Sequence, residues 1–122
     1  MSQFVVGIRS REAGEAMTDK ENYIVQLDAN GKIEVGEGAT DLLVGVLQNN
    51  PGAGDAAAYQ FVGTALVKLG GTVGVGAWVT SDTAGKGIAT TTDKDVVIGR
   101  ALQDGVDGDI IEVQLGIHKI SI

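Results

Sequence analysis

The chain of 122 residues has no cysteine. Disulfide scaffolds, thiolate-bound zinc or iron–sulfur centres and thiol nucleophiles are therefore excluded. A single histidine, His118, leaves multi-histidine metal sites without ligands, and Pro51 is the only proline. Aromatic residues make up only 4% while hydrophobic residues reach 43%, so a core has to be built from Val, Ile, Leu and Ala. Basic residues are also scarce: 9 against 16 acidic ones, a net charge of −7. Such a surface repels a polyanion, so nucleic acid is not an expected partner. No apolar run approaches the length of a membrane-spanning helix, and no membrane partner is expected. The first residues lack the charged start and apolar stretch of a secretory signal, which fits synthesis and use in a cytoplasm without export.

What the chain does have is glycine, 19 residues, spaced between short apolar runs. Ile24–Leu27 and Lys32–Val35 flank Asp28-Ala29-Asn30-Gly31, and Asn30-Gly31 is read as the positive-φ pair of a tight hairpin turn. Further strands are expected over Asp41–Leu47, Tyr59–Leu69, Ala77–Thr80, Val96–Ile98, Ile110–Leu115 and Ile117–Ile122. No glycine-free window sustains a helical apolar stripe over three turns. Only short helices around Arg11–Asp19 and Asp55–Ala58 are expected. The fold class is all-β: a small single-domain β-barrel or β-sandwich.

Sliding the sequence on itself by 54 positions aligns its halves. Nine identities fall over 24–60: Val25, Asp28, Gly31, Lys32, Asp41, Gly45, Gly54, Asp55 and Gln60 meet their like at 79, 82, 85, 86, 95, 99, 108, 109 and 114. Composition alone gives roughly three. The apolar run Leu42-Leu43-Val44 meets Val96-Val97-Ile98, which places Val44 and Ile98 in the core. The expectation is an internal duplication, with pseudo-repeats over 24–60 and 78–114, inside a β domain of 13–122. Residues 1–12 carry Arg9 and Arg11 and no acid before Glu12. They read as an amino-terminal arm whose Phe4, Val5, Val6, Ile8, Arg9 and Arg11 dock on an acidic partner, or as an ordinary edge strand.

Few motifs carry chemistry. The Gly70–Gly76 loop leads into a strand rather than a helix, so it is not a nucleotide fingerprint. Asp104–Glu112 holds four acids, a composition that suits calcium, but its spacing is not that of the helix-loop-helix calcium site. His118 alone gives too little material for acid–base catalysis. Neither catalytic residue, metal nor cofactor is expected. Trp78 is either a core anchor or an interface hot spot.

The order of the runs Ala13-Gly14-Glu15-Ala16, Tyr23–Asp28, Asp41–Val46, Val75–Val79, Val97–Leu102 and Gly108–Val113 resembles the capsid cement, or decoration, proteins of tailed bacteriophages. The resemblance covers 13–115, and each motif alone is a turn or a core strand. It implies a non-enzymatic protein that binds the outside of an assembled phage head at capsomer junctions, with the major capsid protein as partner and a homotrimer as its form. It implies a place on the head exterior of the virion, after assembly in the host cytoplasm. Phe4–Arg11 and Trp78 are the expected contact residues. Another virion subunit (tail-tube or head-completion) and a ligand-binding β module are the alternatives.

Overall fold

The computed structural model describes residues 7–39 and 42–120. Their fold is all-β, with nine strands and no helix. The strands are β1 (Gly7–Glu12), β2 (Ile24–Leu27), β3 (Ile33–Val35), β4 (Leu43–Leu47), β5 (Ala56–Lys68), β6 (Trp78–Ser81), β7 (Gly87–Thr90), β8 (Val96–Ala101) and β9 (Ile110–Lys119). They form one antiparallel sheet in the order β3-β2-β4-β5-β9-β8-β6-β7, with β1 added on β5, and the sheet curls into a half-barrel.

Both short helices expected from sequence are absent. Of the two readings of the amino-terminal segment, an arm or an edge strand, residues 7–12 take the second: they form β1 and pair with β5 from Ile8 opposite Gln60 to Glu12 opposite Ala56. Ala56-Ala57-Ala58 has high helix propensity, but its backbone groups meet β1 and the β4 end, and that pairing outweighs propensity. Phe4, Val5 and Val6 lie outside the described residues. The β2–β3 turn also differs from expectation. Asn30 does not take positive φ; only Gly31 does, at 76°. The turn is held instead by Asp28, whose Oδ1 accepts from the Asn30 and Lys32 N–H groups at 2.8 and 2.9 Å. Asp82 Oδ1 does the same for Ala84 and Lys86, at 2.8 and 2.9 Å.

The ladders recur at a fixed offset. Val25 stands opposite Val35 and Val79 opposite Ala89. Ile24 faces Val46 as Trp78 faces Arg100, and Val46 faces Gln60 as Arg100 faces Gln114. Strand β5 serves both halves. Its first part carries β1 and β4, and its second part, Gly63 to Lys68, pairs with β9.

Two apolar clusters lie on opposite faces of the first-half strands, because consecutive residues of β2 and β4 divide between them. One joins Ile24, Leu43 and Val46 of the first half to Val67, Val79, Ile98 and Val113 of the second. The other gathers Met17, Val25, Ile33, Leu47 and Tyr59. Each fully buried aliphatic side chain contributes about 1.5–3 kcal/mol. Ile98 is completely buried, whereas Val44, expected in the core beside it, is half-buried against the second cluster.

This difference is measurable. Ile98→Asp should abolish cooperative unfolding in a urea titration, because it buries an unpaired charge. Val44→Asp should leave a folded protein of lower midpoint. A methyl group at Gly45 or Gly99 would drive into the carbonyl oxygen of Gln60 or Gln114. Gly45→Ala and Gly99→Ala should therefore each cost about 2–4 kcal/mol in the same titration.

Candidate functional site

Residues opposite one another in a ladder share a sheet face. Three rows on the outward face of the second half follow from this. Thr64 faces Gln114, Gln114 faces Arg100, and Arg100 faces Trp78. Leu66 faces Glu112, whose carbonyl accepts from the Leu102 N–H at 2.9 Å. Lys68 faces Ile110. Leu66, Leu102 and Ile110 are 50%, 43% and 47% exposed, so aliphatic groups interrupt a polar surface along a continuous sheet face. Exposed apolar groups on a continuous sheet face make it a candidate for docking.

Trp78 anchors the upper row. The Arg100 guanidinium lies 4.1 Å from the centre of its ring, and His118 meets it edge-on at 5.0 Å. The cation sits against the electron-rich ring face, which holds both side chains in place. Around them lies a shallow hollow of about 550 Å³, bordered by Gln114 and Leu115. Trp78 is thus a half-buried surface residue rather than a core anchor.

Of the other expected contact residues, Ile8, Arg9 and Arg11 lie on β1. Ile8 is 52% exposed, Arg9 lies 5.5 Å from the Phe61 ring centre, and Arg11 Nε donates to the Gly31 carbonyl at 2.8 Å. The hollows beside β1 share no lining residue with the Trp78 hollow, so Arg11 and Trp78 border separate hollows.

The candidate chemistry resolves into turns. Asp104 accepts from the Val75 N–H at 2.8 Å and Asp109 from the Val106 N–H at 2.9 Å, so these carboxylates cap loops. Among the described residues no three acid or histidine side chains gather as a metal cluster.

A comparison of folds finds a counterpart. The chain is similar in fold to the head fiber gp8.5 N base of bacteriophage phi29. The two superpose with a TM-score of 0.67 at 15% identity, over 97% of this chain and 100% of that crystal structure. No family model and no curated protein matches the chain. The likeness is one of fold and runs along nearly the whole chain.

Leu66, Leu102, Ile110 and Arg100 were not singled out from the sequence. Their signal lay in Ala65-Leu66-Val67, where both faces of one strand are apolar although only one can point to the core.

The first half carries a contrasting acidic edge on β3. Burial, and then the Glu37 carboxylate beside it, push the Glu34 carboxyl above the usual carboxylate range; Glu15 and Asp28 add to this, and a hydrogen bond with the Gln26 side chain opposes it. A carboxyl with a raised folded pKa holds its proton better in the fold than in the open chain. Its stabilising effect is complete below the ordinary pKa and is lost as pH rises through the raised one. Glu34→Gln should therefore melt at higher temperature than the parent near neutral pH, and the gap should close in acid. Equal melting temperatures by calorimetry at neutral pH would contradict this.

Proposed function

We propose that the chain is a structural, non-enzymatic protein of a bacteriophage virion that sits on the outside of the head as a decoration, or cement, protein. The observation that carries this reading is the fold likeness to a phage head fiber base along nearly the whole chain. The surfaces agree with it. They are an open sheet face and an exposed strand, which suit docking to a broad protein surface rather than turnover of a small molecule.

On this reading the partner is the major capsid protein, met at capsomer junctions, and the protein acts as a homotrimer on the head exterior after assembly in the host cytoplasm. The shell contact is β1 with the segment before it. Ile8, Arg9 and Arg11 are exposed on β1 and supply apolar and cationic groups in a chain of net charge −7, and Phe4, Val5 and Val6 are the further proposed contacts. Several linked contacts on a lattice give strong attachment without a deep pocket.

The test uses purified heads with and without the chain. Co-sedimentation, added density on the outer surface by electron microscopy and a raised shell melting temperature are expected. Arg9→Glu should weaken co-sedimentation at low salt and reduce its dependence on salt, the effect of changing a rim charge. Formation of tubes without any shell would favour a tail subunit, and absence of outer density would overturn the decoration reading.

A further inference from the structure

The two halves share one set of ladders, so each half is a control for the other. Ile24, Val46 and Gln60 occupy the places of Trp78, Arg100 and Gln114. At the same offset along the sequence, Val62 and Thr64 stand where Gly116 and His118 stand. The ladder itself therefore requires neither an aromatic ring nor a cation at these positions. Trp78, Arg100 and His118 belong to the second half alone, and they meet on one ring. The Arg100 guanidinium lies 4.1 Å from the ring centre and His118 lies 5.0 Å from it.

Gly116 keeps the space beside them open. Its backbone lies outside the left-handed region, and a methyl group added there would meet no atom within 4 Å. Neither conformation nor crowding calls for glycine at this position, unlike Gly45 and Gly99. Gly116 lies between Gln114 and His118 on one face of β9, and it lines the hollow of about 550 Å³. A side chain there would fill that space.

The polar groups around the hollow have donors to spare. Among the described residues, no ion pair or hydrogen bond engages the Arg100 guanidinium or the Gln114 amide. His118 Nδ1 donates to the Gly116 carbonyl at 2.8 Å, which fixes the ring and leaves Nε2 without a described partner. No acid lines the hollow, although the chain has a net charge of −7. Two acids lie near it in the sheet. Asp95 is buried and accepts from the hydroxyl of Thr90, which faces Trp78, and Glu112 lies farther along β9. Neither forms an ion pair with Arg100.

This combination selects an occupant. A guanidinium stacked on an aromatic face keeps its N–H edge free, and that edge matches the two oxygens of a carboxylate. Leu115 and Ile117 give an apolar border to the stem that carries the carboxylate. A base or a sugar would instead need an open ring face to stack on, and the Arg100 guanidinium lies over this ring.

We infer that the Trp78 hollow binds a carboxylate side chain on an exposed acidic segment of a partner protein, with Arg100 as its ion-pair donor and Gly116 as the residue that leaves room for it. This goes beyond the head reading, and its test needs no head.

Trp78 is the only tryptophan, so its fluorescence reports the hollow directly. The probe is a short tryptophan-free peptide with one glutamate between leucines, titrated at low salt into the full chain. A saturable change in emission is expected. Binding should weaken about fivefold when glutamine replaces the glutamate of the peptide, the most that one exposed ion pair contributes. Arg100→Gln should weaken it by a similar factor. Gly116→Val should remove binding while the melting curve stays at or above that of the parent, because valine favours an exposed strand.

No saturable change with the parent chain, equal affinity for the glutamate and glutamine peptides, or unchanged binding in Arg100→Gln or Gly116→Val would each overturn the inference. Oligogalacturonate or sulfate bound at least as tightly as the peptide would overturn it too, by assigning the hollow to a sugar acid or to anions at large. Heads that fail to bind a chain still able to bind the peptide would count against the capsid reading alone.

Discussion

Strand β5 has to satisfy two ladders at once, and the architecture follows from that demand. Its first part lies between β1 and the end of β4, and its second part carries β9. A strand that finishes one half and begins the next removes any linker. The Gln60 side chain fixes the crossing. Its Nε2 donates to the Val62 carbonyl at 3.0 Å and to the Thr64 carbonyl at 2.9 Å, so backbone groups at the irregular point of the ladder find a partner. A buried amide that closes its own strand costs little, because its polar atoms are satisfied. No buried side-chain nitrogen or oxygen among the described residues lacks one.

The strands were the legible part of the sequence. Ile24–Leu27, Ile33–Val35 and Leu43–Leu47 lie where turn residues and apolar runs point, because Gly and Asp punctuate short strands strongly. The first strand was harder. Gly7–Glu12 carries Arg9, Ser10, Arg11 and Glu12 in sequence, with no alternation to reveal a buried face, since none of these residues is buried. What makes it a strand is β5 alongside, a long-range partner that no local window contains. β7 is similar: Gly-Ile-Ala-Thr has no clear period, and β6 supplies its structure.

The candidate surface was half legible. Trp78 was identifiable by its rarity, but composition could not separate a core anchor from a surface one. Its corresponding residue, Ile24, is buried against the second half, whereas Trp78 is half-buried. Arg9 and Arg11 were legible as cations in an acidic chain, yet their separation from Trp78 depends on sheet order, which the sequence does not spell out.

Because β1 and β9 both lie antiparallel along β5, a force pulling along the strand axis would not peel the ladders bond by bond. Hydrogen bonds in such ladders run perpendicular to the strands, so tension along β5 strains them together in shear. For a body fixed to a surface that swells or is tugged, that orientation converts a set of individually weak bonds into a mechanical clamp that yields all at once.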